Sequence, residues 1–207
     1  MSLTLTLLRH GRSRADDENV HEGRYDSPLT EVGRNQAVAL AARWQQEEIH
    51  FDVLVSSPLC RASETAAIIG AALGIVPTHD DDLMERDNGL AAGVSLDEVE
   101  QRYPKPLHIS PYAPEFVTGE SEAEFHRRAG GVLERLVRSD SQSILVVAHG
   151  GILNAMLRNA LGAPLPALGG PYFAFGDTAF AQLYYEEQRC GWSVTQINDT
   201  RHLHGQT

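Results

Sequence analysis

The sequence is poor in cysteine and lysine. Cys60 and Cys190 are its two cysteines; two are too few for a disulfide framework, and neither stands in a Cys-x-x-Cys pair that could hold zinc. We therefore expect both to be packing residues. Lys105 is the single lysine among 17 basic residues. This bias towards arginine suits recognition of anions, but genomic composition alone can produce it.

The sequence also lacks long apolar runs and an excess of positive charge. No run approaches the roughly 20 residues that cross a bilayer, and Arg9 and His10 follow the opening run where a signal peptide would be cleaved. We expect a cytoplasmic protein without a membrane partner. The net charge of −11 makes nucleic acid an unsuitable partner, because an acidic surface repels a phosphate backbone.

Strand-like and helical segments alternate along the 207 residues. The predicted strands are Leu3 to Leu8, Val53 to Val55, Ser143 to Ala148, Ala179 to Tyr185 and Trp192 to Ile197. The predicted helices are Glu31 to Glu48, one opened by Pro58 with Ser57 as cap, two that begin at capping boxes from Ser95 and Ser121, and Ile152 to Leu161. This alternation predicts a three-layer α/β/α sandwich with a mainly parallel sheet, and it allows an antiparallel edge from the last strands.

Residues 86–120 interrupt the alternation. Four prolines between Pro104 and Pro114 predict an irregular stretch that forms a mobile lid. Apolar residues such as Leu90 and Phe116 exceed what a linker needs. We predict a single domain over residues 1–207, with a cap at about residues 86–120 and a frayed tail from Asn198 to Thr207.

Polar clusters stand where three predicted strands end, the place where open α/β sheets bind their ligands. The clusters are Arg9-His10-Gly11, then Ser56-Ser57-Pro58 with Arg61, and His149-Gly150-Gly151. Each leads into a glycine or a helix start, whose amides and positive end favour an anion. One histidine at a strand end is usually an ordinary loop or core residue, but two histidines with several arginines indicate a site for a small phosphorylated metabolite.

Four motifs carry a resemblance to a known family. They are Leu8-Arg9-His10-Gly11, then Pro28-Leu29-Thr30, then Ser56 to Ala62, and Ala148 to Gly151. In this order they resemble the phosphoglycerate-mutase-like branch of the histidine phosphatase superfamily. The resemblance implies that His10 attacks phosphorus while Arg9, Arg61 and His149 hold the phosphoryl oxygens. It implies neither a metal nor a cofactor, and fixed cations suit the charge of a phosphoryl transition state.

The resemblance also implies a carboxylic acid that protonates the leaving group, four and eight residues before two glycines. Glu85, with Gly89 and Gly93, fits this spacing, and Asp87 is the alternative. Gly11, Ser13 and Gly150 are further candidates for substrate binding.

Asp16 departs from the family pattern, which usually has Asn at this position. Its negative charge would repel phosphate. Either Asn19 replaces the missing amide after a loop shift, or Asp16 turns away and Arg12 or Arg14 makes the contact.

Three functions fit these residues. A phosphatase that hydrolyses small phosphomonoesters through a phosphohistidine on His10 is favoured. The first alternative is a phosphoglycerate mutase, which must exclude water; the mutases of the family have a longer cap with paired arginines, and this cap has no adjacent Arg pair. The second alternative is a catalytically silent phospholigand-binding module, against which the intact His10, Glu85 and His149 argue. The sequence leaves the substrate and the oligomeric state open.

Overall fold

One mixed sheet organises the protein. The computed structural model describes residues 2–104, 110–116, 118–163 and 172–204. Its strands are β1 (Ser2–Arg9), β2 (Val53–Ser56), β3 (Thr78–His79), β4 (Ser143–Ala148), β5 (Phe180–Glu186) and β6 (Gly191–Asp199). Its helices are α1 (Arg14–Glu18), α2 (Glu31–Gln46), α3 (Cys60–Leu73), α4 (Leu96–Arg102), α5 (Glu122–Val137) and α6 (Gly150–Ala160).

The strands lie in the order β3-β2-β4-β1-β5-β6. The pairs β3–β2, β2–β4 and β4–β1 are parallel, whereas β5 is antiparallel to both β1 and β6. This confirms the predicted mainly parallel sheet and its antiparallel edge. None of the helices in the described ranges has the length and apolar character needed to cross a bilayer.

Side chains of β1 alternate between two apolar cores. Leu7 belongs to the core that contains Phe125 of α5 and Ile152 of α6. Leu8 faces the opposite side and belongs to the core with Leu40 of α2 and Ile69 of α3. Since successive side chains of a strand point to opposite faces, each face of the sheet is covered by two helices. The predicted three-layer sandwich is confirmed.

The register of the central strands places the polar clusters together. Arg9 at the end of β1 pairs with Ala148 at the end of β4, so His10 and His149 are the next residues on neighbouring parallel strands. Ser56 of β2 pairs with Val147 of β4, which brings Ser57 to the same edge. This edge is the carboxyl end of the parallel strands, where the sequence predicts the ligand.

Two helix starts differ from prediction. Helix α3 begins at Cys60, with Leu59 as N-cap, because the Ser57 N–H still bonds to the Val147 carbonyl and its hydroxyl contacts His149. Helix α6 begins at Gly150 instead of Ile152.

The prediction that both cysteines are packing residues is wrong for Cys190. Cys60 is half-buried, but Cys190 is exposed.

The predicted frayed tail is wrong for residues 198–204. Asp199 ends β6, and its buried carboxylate accepts hydrogen bonds from both terminal nitrogens of Arg43, at 2.9 and 3.0 Å. His202 Nε2 lies 2.8 Å from Thr178 Oγ1. Thr178 has a left-handed φ of 50°, costly for a β-branched residue, and its N–H donates to the His10 carbonyl at 3.1 Å. This segment therefore supports the backbone of His10.

The segment 86–120 has a small apolar cluster of its own, formed by Ala91, Val99 and Phe116. Its two ends meet where the Glu120 N–H donates to the Asp87 carbonyl at 2.9 Å. Residues 105–109 of the proline-rich stretch, which include Lys105 and His108, lie outside the described residues, so the mobile lid stays a prediction.

Candidate active site

His10 is buried just beyond β1, and its neighbours fix the position of its ring hydrogen. Nδ1 lies 2.7 Å from the Gly11 carbonyl oxygen, which can only accept, so the hydrogen is on Nδ1. Nε2 therefore carries the lone pair, and the Arg61 Nε–H points at it over 3.3 Å. The structure thus presents Nε2 as the atom of His10 that can attack an electrophile.

Electrostatics keep this ring neutral. Burial, followed by the positive charges of Arg61 and Arg9, holds the pKa of His10 well below its usual value. Burial, Arg61 and His10 have the same effect on the pKa of His149, whose ring centroid is 5.1 Å from that of His10. Both imidazoles are consequently uncharged at neutral pH, as a nucleophile must be.

Arg61 is a fully buried cation held by backbone oxygens. Its Nη2 donates to the Gly23 carbonyl at 2.8 Å and its Nη1 to the Tyr25 carbonyl at 2.9 Å. These bonds fix the guanidinium without neutralising it, so its Nε side stays directed at His10. A fixed buried cation is suited to charge that develops on phosphoryl oxygens.

Arg9 and His149 complete the edge. Arg9 Nη1 donates to the Phe175 carbonyl at 2.9 Å and lies 3.2 Å from Asp177 Oδ1. His149 Nε2 lies 2.8 Å from the Ser57 hydroxyl, while its buried Nδ1 has no hydrogen-bond partner in the described part of the chain. The structure therefore brings Arg9, His10 and His149 to one edge with Arg61, as the resemblance implies.

Glu85 reaches the same edge. Its Oε2 accepts from the Gly151 N–H at 2.7 Å and its Oε1 from the Arg86 N–H at 2.8 Å. A Cβ on Gly151 would lie 2.4 Å from Glu85 Oε1, so this glycine is needed for the carboxyl group to approach α6. Asp87, the alternative acid, instead accepts from the Gly89 N–H at 2.8 Å.

The three predicted substrate-binding residues occupy different environments. The Gly11 N–H donates to Thr65 Oγ1 at 3.2 Å, and a Cβ on Gly11 would lie 2.5 Å from the Gly33 carbonyl oxygen, so its smallness permits close packing. Gly150 is the first residue of α6. Ser13 is buried, and its hydroxyl contacts carboxylates.

Asp16 does not turn away from the site, contrary to one expectation. Its Oδ1 lies 3.5 Å from Arg9 Nη2, and its Oδ2 accepts from the Ser13 N–H at 2.8 Å. The loop shift is not found either, since Asn19 caps α1 with a left-handed φ of 54°.

The two arginines proposed as substitutes for Asp16 form other pairs. Arg12 contacts Asp17 at 2.6 Å and Arg14 contacts Glu18 at 2.9 Å. The four side chains are substantially exposed.

Glu22 is the residue that sequence reasoning missed. Its Oε2 lies 3.9 Å from His10 Nε2, and its Oε1 lies 3.2 Å from Arg61 Nε. Burial raises the pKa of Glu22, although Arg61 acts in the opposite direction. Glu22 belongs to no helix or strand, so no periodicity marks it, and its role in the pocket depends on where Arg61 lies.

A cavity of about 440 Å³ adjoins Glu85. Its lining residues include Glu22, Arg86, Glu122, His126 and Arg158. The Glu122 carboxylate lies 3.3 Å from both Arg86 Nη1 and Arg158 Nη1. Arg86 Nη1 also lies 3.5 Å from Glu115 Oε2, so the two guanidiniums of the cavity lie among carboxylates.

The described ranges contain no group of three or more His, Cys, Asp or Glu side chains placed to hold a metal ion. Cys60 is not an activated thiol, because burial raises its pKa to about 11 and Asp26 reinforces the shift. In the described part of the chain, this edge presents imidazole, guanidinium and carboxyl groups together with the Ser13 and Ser57 hydroxyls.

Comparison with known proteins agrees with this geometry. The sequence profile described as "Histidine phosphatase superfamily (branch 1)" matches residues 5–200. The chain is 32% identical over 205 residues to "Phosphoserine phosphatase 1" of Hydrogenobacter thermophilus, covering 96% of this chain and 93% of that protein. It is 30% identical over 208 residues to "Probable phosphoglycerate mutase GpmB" of Yersinia pestis, with coverages of 97% and 95%.

A solved structure is similar over nearly the whole length. The mycobacterial glucosyl-3-phosphoglycerate phosphatase superimposes with a TM-score of 0.80 at 26% sequence identity. The superposition covers 96% of this chain and 99% of that one.

Proposed function

Since the chain belongs to the histidine phosphatase superfamily (branch 1), we propose that it is a phosphatase that hydrolyses small phosphomonoesters through a phosphohistidine on His10. One observation carries the proposal. His10 Nε2 holds a lone pair in a buried pocket, 3.3 Å from the fixed Arg61 guanidinium, and the Glu85 carboxyl group lies at the same edge.

In the first step, His10 Nε2 forms a bond to phosphorus as the ester P–O bond breaks. Glu85 gives its proton to the departing oxygen, which leaves as an alcohol. Arg9, Arg61 and His149 stabilise the charge on the other phosphoryl oxygens. The product of this step is N-phosphorylated His10 with an ionised Glu85.

In the second step, a water molecule attacks the phosphorus of phosphohistidine. Glu85 takes a proton from that water, the P–N bond breaks, and orthophosphate leaves. His10 recovers its neutral state. These steps require neither metal nor cofactor, and metal-independent turnover is part of the proposal.

We further propose that the leaving group carries a carboxylate. Arg86 and Arg158 line the cavity beside Glu85, each 3.3 Å from the Glu122 carboxylate, and a guanidinium can bind a substrate carboxylate through two parallel hydrogen bonds. The relatives named for phosphoserine and glucosyl-3-phosphoglycerate support this class, since both compounds contain a carboxylate. We propose that residues 86–120 act as the cap over this cavity.

A rapid-quench experiment tests the mechanism. The protein is mixed with ³²P-labelled phosphoserine or 3-phosphoglycerate, quenched and digested. We expect an acid-labile, alkali-stable label on the peptide that contains His10, followed by release of one orthophosphate per turnover. Label found on another residue would contradict the proposal.

The same experiment separates the alternatives. Transfer of the label to another hydroxyl of phosphoglycerate, in place of release, would indicate a mutase. Tight binding of the esters without turnover would indicate a silent module. A parallel run with EDTA should show an unchanged rate, and loss of activity that a divalent ion restores would disprove metal independence.

A further inference from the structure

Two carboxylates inside the anion pocket contact one hydroxyl group. Ser13 Oγ lies 2.6 Å from Glu22 Oε1 and 2.8 Å from Asp16 Oδ2, and Ser13 is fully buried. A hydroxyl group has one hydrogen and can donate it to only one of the two oxygens. If both carboxylates were ionised, the other contact would set two oxygen atoms with lone pairs against each other.

We propose that Glu22 and Asp16 hold one proton between them across Ser13, and that the pocket binds a phosphoryl anion together with this proton. The proton is on Glu22 Oε1, which donates to Ser13 Oγ. The Ser13 hydroxyl in turn donates to Asp16 Oδ2, which also accepts the Ser13 N–H at 2.8 Å. In this arrangement every hydrogen has an acceptor.

The charged and titratable groups around the pair come from α3, from β1 and from the residue that follows β1. Arg61 of α3 lies 3.2 Å from Glu22 Oε1, and His10, just beyond β1, lies 3.9 Å from Glu22 Oε2. Arg9 of β1 lies 3.5 Å from Asp16. Arg61 favours an ionised Glu22, but burial outweighs it and raises the pKa of Glu22.

This proton controls access to Arg61. An ionised Glu22 would occupy Arg61 Nε, the same donor that faces His10 Nε2, and would repel a phosphoryl dianion. A protonated Glu22 leaves that donor to the anion. Above the pKa of Glu22, each bound anion must therefore be accompanied by one proton from solvent, and its affinity should fall about tenfold per pH unit.

Calorimetric titration with inorganic sulfate tests the proposal. Sulfate is a tetrahedral dianion whose own charge is constant near neutral pH, so any proton uptake belongs to the protein. Titrations in buffers of different ionisation enthalpy count the protons taken up per anion. For the wild-type protein we expect the count to rise towards about one as the pH is raised from about 6 to about 8.5.

Matched variants identify the group. Glu22→Gln should abolish the uptake and bind sulfate at least about tenfold more tightly than the wild type at the highest pH. Glu18→Gln removes the same charge from an exposed residue of α1 and should behave as the wild type. Asp16→Asn removes a carboxylate that helps to raise the pKa of Glu22, so its uptake should begin at a lower pH than in the wild type; this variant serves where Glu22→Gln does not fold.

Three results would overturn the proposal. They are sulfate binding without proton uptake, uptake that persists in Glu22→Gln or is unshifted in Asp16→Asn because His10 or His149 takes the proton, and no sulfate binding at any pH. The proposal rests on the proposed phosphoryl site, but its failure is distinguishable. Proton-coupled binding without label on His10 would refute only the function, whereas label on His10 with pH-independent binding would refute only the shared proton.

Discussion

The two ends of the site are held in different ways. At the phosphoryl end, Arg61 is bonded to two backbone carbonyls and His10 to a third, and both side chains are almost fully buried. At the leaving-group end, Arg86 contacts the Glu120 carbonyl and the Glu115 carboxylate, and the Glu122 carboxylate pairs with both Arg86 and Arg158. Their side chains are 22% and 12% exposed, respectively.

We therefore expect the phosphoryl end to determine the rate of the reaction and the leaving-group end to determine which esters are preferred. Backbone contacts persist whatever side chains surround them, so a phosphoryl site built on strand ends tolerates change elsewhere in the chain. Contacts between side chains are altered by single substitutions. The comparison predicts that variants at the phosphoryl end lose rate for every ester, whereas variants in the cavity change the preference among esters.

The largest effect is expected from His10→Ala. Removal of the nucleophile should lower kcat/KM by about 10³-fold or more for every phosphomonoester, because the nitrogen proposed to attack phosphorus is lost. Phosphate release assays measure this, with the exposed His50→Ala as control. Retention of full activity would refute a phosphohistidine on His10.

Glu85→Gln should discriminate between leaving groups. The amide keeps the shape but has no proton to give, so alkyl phosphates should slow by about 10²-fold or more, while aryl phosphates, which depart without a proton, slow far less. Asp87→Asn is the control. Equal slowing of both ester types would mean that Glu85 is not the acid.

Arg86→Gln should affect only the leaving-group end of the site. We expect KM for phosphoserine to rise about tenfold while kcat changes little, since a carboxylate contact made equally in the ground and transition states is lost. Activity on 4-nitrophenyl phosphate, which lacks a carboxylate, should be unchanged. The matched control is Arg102→Gln, an exposed cap arginine that pairs with Glu98. A uniform loss across substrates would refute the separation of the two ends.

The smallest effect concerns pH. Protonation removes the lone pair of His10, and its pKa is lowered by burial and by Arg61, so the acidic decline of kcat/KM should begin well below the usual titration range of histidine. NMR of ¹⁵N-labelled histidine should show His10 and His149 neutral at a pH where free histidine in the same sample is half protonated. Titration of His10 and His149 in the same pH range as free histidine would contradict the burial of both rings beside Arg61.

Much of this could be predicted from sequence. The predicted sandwich, its antiparallel edge, the family and the enzyme class, phosphoric monoester hydrolase, are confirmed. They could be predicted because apolar runs, strand-end glycines and four spaced motifs are local signals in the sequence. The roles of the individual site residues remain predictions.

What failed depends on distant partners. Ser57 looked like a helix cap, but its hydroxyl contacts His149, 92 residues away. Asp199 looked like part of a tail, but Arg43, 156 residues away, holds its carboxylate. No local sequence pattern predicts such long-range contacts.

The central position of β1 has a consequence for synthesis on the ribosome. Its two neighbours are β4 and β5, and Arg9 at its end bonds to a carbonyl 166 residues further along the chain. Strand β1 therefore emerges before either strand that pairs with it, and it must stay without these partners while the residues between β1 and β4 are translated. His10 is made before β4, the Thr178 turn and β5, yet all three complete its surroundings. A nascent chain accordingly lacks the complete site until these segments have been translated.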